Sequence, residues 1–447
     1  MDDPQQPADE TPKPGFCQRH LTAVTVTGLI LLAVGGFIAY RLVLHARIER
    51  RLDAFREAGY PVTLEELAEY YPEVPIGENA AVVYDRALWS FREPFGLAVG
   101  EVTPIVSNAD LPPLGEPLPP EQFAAVSLWV SLNRECLADL HEAAAMPGCR
   151  FPLKLSAGME TLLPHLTPLR QGARTLALEN LLAIEQGETE QALASLHTGL
   201  KLQQALRTEP LLISQLVRIA CVHIALGSVE RTCSRLELAP IQLAELQGRI
   251  ERTEADFADS LECGLAGELA TYVDVFDRGP AYWSYLSSLV TGPPAGIFAV
   301  VYDLTGLADL DELEYLGRMR SAIEAAGMPP QDAVVRATEI EKGFEAIPEW
   351  RLLTRTLISA GLPHSINEAA GTHARLRAAR TALAVERYRL KHGELPENLD
   401  ALVPGFIENV PLDPFDGTPV KYRRLDKGFM VYSIGRDGKD NAGLREP

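Results

Sequence analysis

Arg218 and His223 lie inside LLISQLVRIACVHIAL, Leu211–Leu226, a run that is apolar on nearly every helical face. A helix of that character is buried, and an unpaired guanidinium in an interior is strongly unfavourable. Arg218 therefore needs a partner, and Glu254, Glu262 and Glu268 on the following helices are the candidates. An Arg–Glu pair beside a histidine in an open cleft would be equipped for ligand binding or acid–base work. In a closed, dry setting it is structural, and Arg218 is read as a structural buried charge. Cys221 and Cys233 stand twelve residues apart with no CxxC pair, which is not zinc-ligand spacing. Cys136 and Cys149 would pair only in an oxidising, extracytoplasmic setting. The nine histidines are scattered singly. His141, beside Glu142, and His373 fall on amphipathic helices, where packing or solvation is the ordinary role. The chain contains no GxxxxGK[ST] phosphate loop, HExxH helix, GxSxG elbow or GxGxxG turn. No catalytic residue and no organic cofactor is assigned, and the reading leans away from an enzyme.

The elements that must position these residues start with a membrane segment. Leu21–Tyr40, LTAVTVTGLILLAVGGFIAY, is twenty residues without a charge. At about 1.5 Å per residue it spans a hydrocarbon core of roughly 30 Å. The run is long for a cleaved signal peptide and no small-residue cleavage site closely follows it, so residues 21–43 are read as an uncleaved transmembrane helix. Gly35 and Ala39, four apart, would allow a helix–helix contact in the bilayer. Residues 1–20 form an acidic, Pro-rich tail expected to be disordered. Arg41, Arg47, Arg50, Arg51 and Arg56 follow the span, where they would sit at headgroup level on a helix that has no breaker before Gly59. Thr63-Leu64-Glu65-Glu66 has the form of a capping box, and residues 44–92 read as membrane-proximal helices. Residues 93–120, ending in LPPLGEPLPP, lack periodicity and read as a loop.

Residues 121–362 form the expected helical domain. Gly187 divides two apolar-periodic stretches, and Ala192, Leu196 and Leu200 recur at four-residue intervals on the second. This is the pattern of an antiparallel helical hairpin, and it resembles a single tetratricopeptide-type pair. A repeating array is not found, so the architecture is a bundle or short solenoid. Gly292-Pro293-Pro294 interrupts the pattern, and the apolar run Gly296–Tyr302 is too short to span a membrane. It either packs in the core or lies against the bilayer.

Residues 363–447 differ in kind. Ile366–Leu390 reads as a long helix with Leu376, Ala379, Leu383 and Leu390 on one stripe, stopped by Gly393. Two alternating strands follow, Thr418–Arg424 and Phe429–Ile434, joined at Leu425–Gly428, so a helix laid on a small antiparallel sheet is expected. The segments ERYRLKHGELPENLDALVP, VPLDPFDG and YSIGRDGKDNAG, in this order over about the last seventy residues, resemble the C-terminal part of the major pseudopilin of type II secretion. The resemblance implies an α+β module working outside the cytoplasm and a late loop that binds calcium, which maps onto Asp437, Asp440 and Asn441. Oxygen donors along a Gly-containing loop suit a hard cation. The Gly15–His20 stretch lacks the Glu that follows the leader junction in that family, and over 300 residues separate the two motifs here. The module is therefore read as borrowed by a different chain. The whole layout resembles uncharacterised bacterial single-pass membrane proteins.

Composition sets the function classes. With Lys plus Arg at 41 and Asp plus Glu at 61 the net charge is −20, which argues against nucleic acid as a partner. The fold class is mainly α, with an N-terminal transmembrane helix and a small C-terminal α+β module. The expected function is a membrane-anchored, non-enzymatic scaffold of the bacterial envelope, with the bilayer and envelope proteins as partners. Inner-membrane location is expected, with the bulk of the chain extracytoplasmic by the module's resemblance, against the positive-inside count after the span. The alternatives are an envelope enzyme with its site among the acidic helices near Arg218, and a secretion or pilus-system component.

Overall fold

A single helix, Phe16–Glu57, carries the uncharged run and continues without interruption into the arginine-rich segment. The computed structural model describes residues 16–94, 99–257, 260–358 and 361–443; most of the acidic tail lies outside them. Apolar side chains from Leu21 to Val43 stand exposed, whereas Leu44, Ile48, Leu52 and Phe55 on the same helix are buried. The helix thus changes solvent along its length: its lower end is part of the protein's interior, packed with Trp283, Tyr302, Tyr315 and Met319. It stops at Gly59, whose φ of +88° only glycine adopts without strain. The Thr63 hydroxyl then accepts the Glu66 amide at 3.2 Å, while the Glu66 carboxylate accepts the Val62 amide at 2.7 Å. The reciprocal bond of the expected capping box falls one residue early, on Val62 instead of Thr63.

The expected hairpin forms from Leu166–Gln186 and Thr189–Leu202, turning at Gly187 with φ +72°. Ala192, Leu196 and Leu200 are buried along the inner face. Leu212–Arg235 lies against both helices and is the centre of the body. Although it is long and apolar enough to cross a membrane, most of its apolar window is buried in protein, so here hydropathy reports a core helix. Ser260–Asp277 crosses its start through Gly264 and Gly267. A Cβ on Gly267 would lie 1.6 Å from the Pro210 carbonyl oxygen, so the close approach depends on the missing side chain.

Leu307–Ala326, Pro330–Glu345 and Leu352–Ile358 complete the side of the body that receives the N-terminal helix. Buried Asp311 starts the last of these, accepting the Leu353 amide at 2.8 Å and the Tyr302 hydroxyl at 2.7 Å.

Gly361–His392 is shared by body and tail. Its first half places Ile366 and Leu376 in the body's interior, and Ala384 and Val385 further along cover the C-terminal residues Leu399, Leu402, Ile407 and Val420. On the expected stripe Leu376 and Leu383 are buried, but Leu390, at the end, is exposed. Two antiparallel strands, β1 (Lys421–Arg424) and β2 (Phe429–Tyr432), pair with Tyr422 opposite Val431. The observed strands are shorter than the alternating segments because the flanking residues turn away. Buried Asp413 then ties the PLDPFDG turn to the exit of β2: it accepts from the Phe415 amide at 3.0 Å, the Ser433 hydroxyl at 2.9 Å and the Ile434 amide at 2.9 Å.

Candidate functional site

Arg218 is fully buried. Its guanidinium donates to Gln203 Oε1 at 2.6 Å, to Gln215 Oε1 at 3.4 Å and to the Asp256 carbonyl at 2.8 Å, and it lies 4.2 Å from the Phe257 ring centre. Two of the candidate carboxylates have other partners: Glu262 accepts from the Tyr60 hydroxyl, and half-buried Glu268 accepts from Tyr272. Glu254 faces the helix Gly361–His392. Amide, carbonyl and ring contacts surround Arg218.

Sequence reasoning missed a second buried polar group. His165 Nε2 lies 3.0 and 3.1 Å from the two oxygens of Glu209, whose Oε1 also accepts the Ser214 hydroxyl. The imidazole stacks on Phe151 at 4.1 Å. Histidine, carboxylate and serine together suggest nucleophilic catalysis, but their order is wrong for it. Base catalysis places the imidazole between serine and carboxylate so that it can take the hydroxyl proton; here the carboxylate stands in the middle. The same order recurs where Glu179 accepts Ser195 at 2.7 Å and meets His141 Nε2 at 2.9 Å. Both groups fasten helices together, and no local sequence spacing marks either one.

A groove of about 550 Å³ lies between Pro240–Asp256, the Gly327–Pro330 turn and Gly361–His392. His373, Arg377 and Arg380 fall at helical spacing on one face and converge on Glu254. Arg377 Nε donates to Glu254 Oε1 at 2.7 Å. Arg380 Nε approaches Oε2 at 3.3 Å without hydrogen-bond alignment, and His373 Nδ1 stands 3.8 Å from Oε1, an electrostatic neighbour only. Burial alone would raise the Glu254 carboxyl, but the Arg377 and Arg380 guanidiniums, with the His373 ring beside them, outweigh it and hold it below its ordinary value. Phe257, Met328 and Ile366 supply an apolar wall, with Glu251 and Glu262 at the rim. The i, i+4, i+7 spacing of His373, Arg377 and Arg380 was the available sequence signal.

In the late loop, Asp437 Oδ1 accepts the Lys439 amide at 3.1 Å, and Asp440 Oδ1 accepts the Ala442 amide at 2.9 Å and the Tyr432 hydroxyl at 3.0 Å. These are turn-forming bonds, and Asn441 is exposed beside them. Among the described residues, no group of three or more His, Cys, Asp or Glu is arranged to hold a metal ion. Cys136, Cys149, Cys221 and Cys233 are free thiols.

Of the five arginines after the span, Arg41 donates to the Asp303 carbonyl and pairs with Asp309 at 3.0 Å. Arg51 donates to the Leu313 carbonyl, and Arg56 pairs with Glu66 at 2.8 Å. These three fasten the helix Phe16–Glu57 to the body. The collar expected to face lipid headgroups is thus partly committed to protein contacts.

No family model, curated protein or solved structure matches the chain.

Proposed function

We propose that this protein is a membrane-anchored scaffold of the bacterial cell envelope, fixed in the inner membrane by residues 21–43 and carrying a pseudopilin-like C-terminal module that contacts a protein partner. One observation carries the reading: the exposed apolar part of Phe16–Glu57 and its buried lower part belong to one uninterrupted helix. A removable leader needs no such continuity, whereas a permanent anchor that must hold a body at a fixed height does. The union of VPLDPFDG with the YSIG segment through Asp413 supports treating those motifs as one module. On this reading the body is extracytoplasmic, and a calcium ion at Asp437, Asp440 and Asn441 belongs to the same proposal.

Membrane fractionation tests the anchor: the chain stays in the pellet through alkaline carbonate extraction, and release into the supernatant overturns the reading. Labelling of a Trp89→Cys variant by a membrane-impermeant maleimide in intact spheroplasts tests the side. Trp89 is 85% exposed, so labelling only after permeabilisation places the body in the cytoplasm. Affinity purification from cross-linked membranes that repeatedly yields no partner removes the scaffold role.

The groove supports a second reading, an envelope enzyme or ligand-binding protein. Glu254, His373, Arg377 and Arg380 form a Glu, His and Arg cluster beside an open cleft, close to Arg218 but not including it. A thermal-shift screen of small carboxylates and phosphates checks it. A rise in Tm abolished by Arg380→Gln supports it, and no response across the panel removes it.

A further inference from the structure

We infer that the helical hairpin Gly279–Leu304 is a second membrane contact, lying in the headgroup region of the leaflet from which the anchor emerges; this rests on the anchor reading above. From Gly279 to Tyr302, twenty-four residues contain no Asp, Glu, Lys, Arg or His. They form two helices, Gly279–Leu289 and Gly296–Leu304. In the second, only Ala299 and Tyr302 are buried, while Ile297 is 84%, Phe298 53% and Leu304 62% exposed; Leu289 at the end of the first is 64% exposed. Water is an unfavourable solvent for so many adjoining large apolar side chains.

The hairpin is rigidly held. Trp283 Nε1 donates to the Val275 carbonyl at 2.7 Å, and the Tyr302 hydroxyl donates to Asp311 at 2.7 Å. The Ser284 hydroxyl accepts the Gly296 amide at 3.0 Å across the turn. The exposed side chains are therefore displayed by a fixed backbone and cannot turn inward.

The position of this face relative to the anchor selects lipid as its occupant. Arg41 is the first residue after the uncharged span, and its guanidinium reaches the Asp303 carbonyl and the Asp309 carboxylate. A Cβ on Gly306 would lie 3.3 Å from the Tyr40 ring and 3.1 Å from the Arg41 side chain. The C-terminal end of the hairpin is thus pinned to the point where the anchor leaves the hydrocarbon core. An apolar helix at that level meets the bilayer before any soluble partner. At nine residues, or roughly 13 Å, Gly296–Leu304 is too short to span, so it lies in the interface with its apolar side chains reaching the acyl boundary.

The test uses the full chain in vesicles of phosphatidylethanolamine and phosphatidylglycerol. A dansyl amino acid is placed at Leu31, at Phe298 or at Trp89, and quenching by lipids brominated at shallow or deep acyl positions is measured. All three side chains are exposed in the fold, so the replacements leave the core intact. Strong quenching at Leu31 by deep bromines, at Phe298 by shallow bromines, and none at Trp89 is the expected result. Quenching at Leu31 with none at Phe298 overturns the hairpin contact and leaves the anchor standing. Absence of quenching at Leu31 overturns the anchor itself. A photo-cross-linking amino acid at Val301 distinguishes a second occupant: lipid adducts support the inference, and adducts between two copies of the chain overturn it.

Discussion

Arg218 is a buried charge set among amide and carbonyl acceptors. Its bonds to Gln203, Gln215 and the Asp256 carbonyl, with Phe257 against its face, occupy three positions of the fork of donors. Arg218→Met leaves Gln203 Oε1 and the Asp256 carbonyl short of a donor. It should lower stability by ~2–4 kcal/mol, read as a drop in Tm in detergent; an unchanged Tm would show that water replaces the guanidinium freely. Glu312 presents the opposite case. Burial, followed by the charges of Asp277, Asp309 and Glu49, pushes its carboxyl up from 4.5 to about 8. His45 and Arg41 are the nearby cations, and they act on Asp277 and Asp309. Between those two values the folded chain keeps a proton that the unfolded chain releases, so stability falls as pH rises through this window. Glu312→Gln should therefore stabilise by about 2 to 4 kcal/mol at pH 8 and by almost nothing near pH 4. Unfolding midpoints measured across this range check it, and a gain that is equal at both ends would refute the assignment.

At the scale of elements, two close approaches set the packing. Gly267 lets the helix Ser260–Asp277 rest on the Pro210 carbonyl, and a methyl group there meets backbone that has no rotamer to change. Gly267→Ala should destabilise by ~3 kcal/mol or more, far beyond the small change expected from helix propensity alone, as chemical denaturation would reveal. Asp413 is the other junction. Asp413→Ala leaves the Phe415 and Ile434 amides without their acceptor, so the segment from Pro411 to Gly443 should open more readily, by ~1–3 kcal/mol. Hydrogen exchange would report faster opening there, while protection in Leu212–Arg235 stays unchanged. Equal loss of protection in both places would mean that the tail is not a local unit.

For the whole molecule, the shared helix Gly361–His392 decides how the chain can be divided. The sequence suggests a boundary near residue 363, where composition changes and the pseudopilin resemblance lies downstream. Yet Ile366, Leu376 and Leu383 fill the body's interior, and Glu254 binds Arg377 on the same helix. A chain ended after residue 358 should fail to fold into a soluble, cooperatively melting body even with detergent present. A truncated chain that melts cooperatively near the full-length Tm would show that the helix is dispensable. The Arg41 and Arg51 contacts extend the same continuity to the N-terminal helix, which is tied to the body by side-chain bonds as well as by chain connectivity.

Patterns confined to one segment were legible from residues alone. The uncharged run of Leu21–Tyr40, the Gly187 hairpin, the buried character of Leu211–Leu226 and the strands around Leu425–Gly428 all follow from local periodicity and turn chemistry, which act over a few neighbouring residues. The groove was only half legible: His373, Arg377 and Arg380 mark one helix face, but nothing local brings Glu254 to it from over a hundred residues away. The His165–Glu209–Ser214 and His141–Glu179–Ser195 groups, the Asp413 junction and the pinning of Arg41 to Asp303 depend on pairings between distant segments. By length and hydropathy both long apolar helices could cross a membrane, since burial against protein and burial in lipid favour the same side chains. Only the tertiary fold enclosed Leu212–Arg235 and left the apolar side chains of Leu21–Val43 exposed, and with them those of the uncharged hairpin beside Arg41.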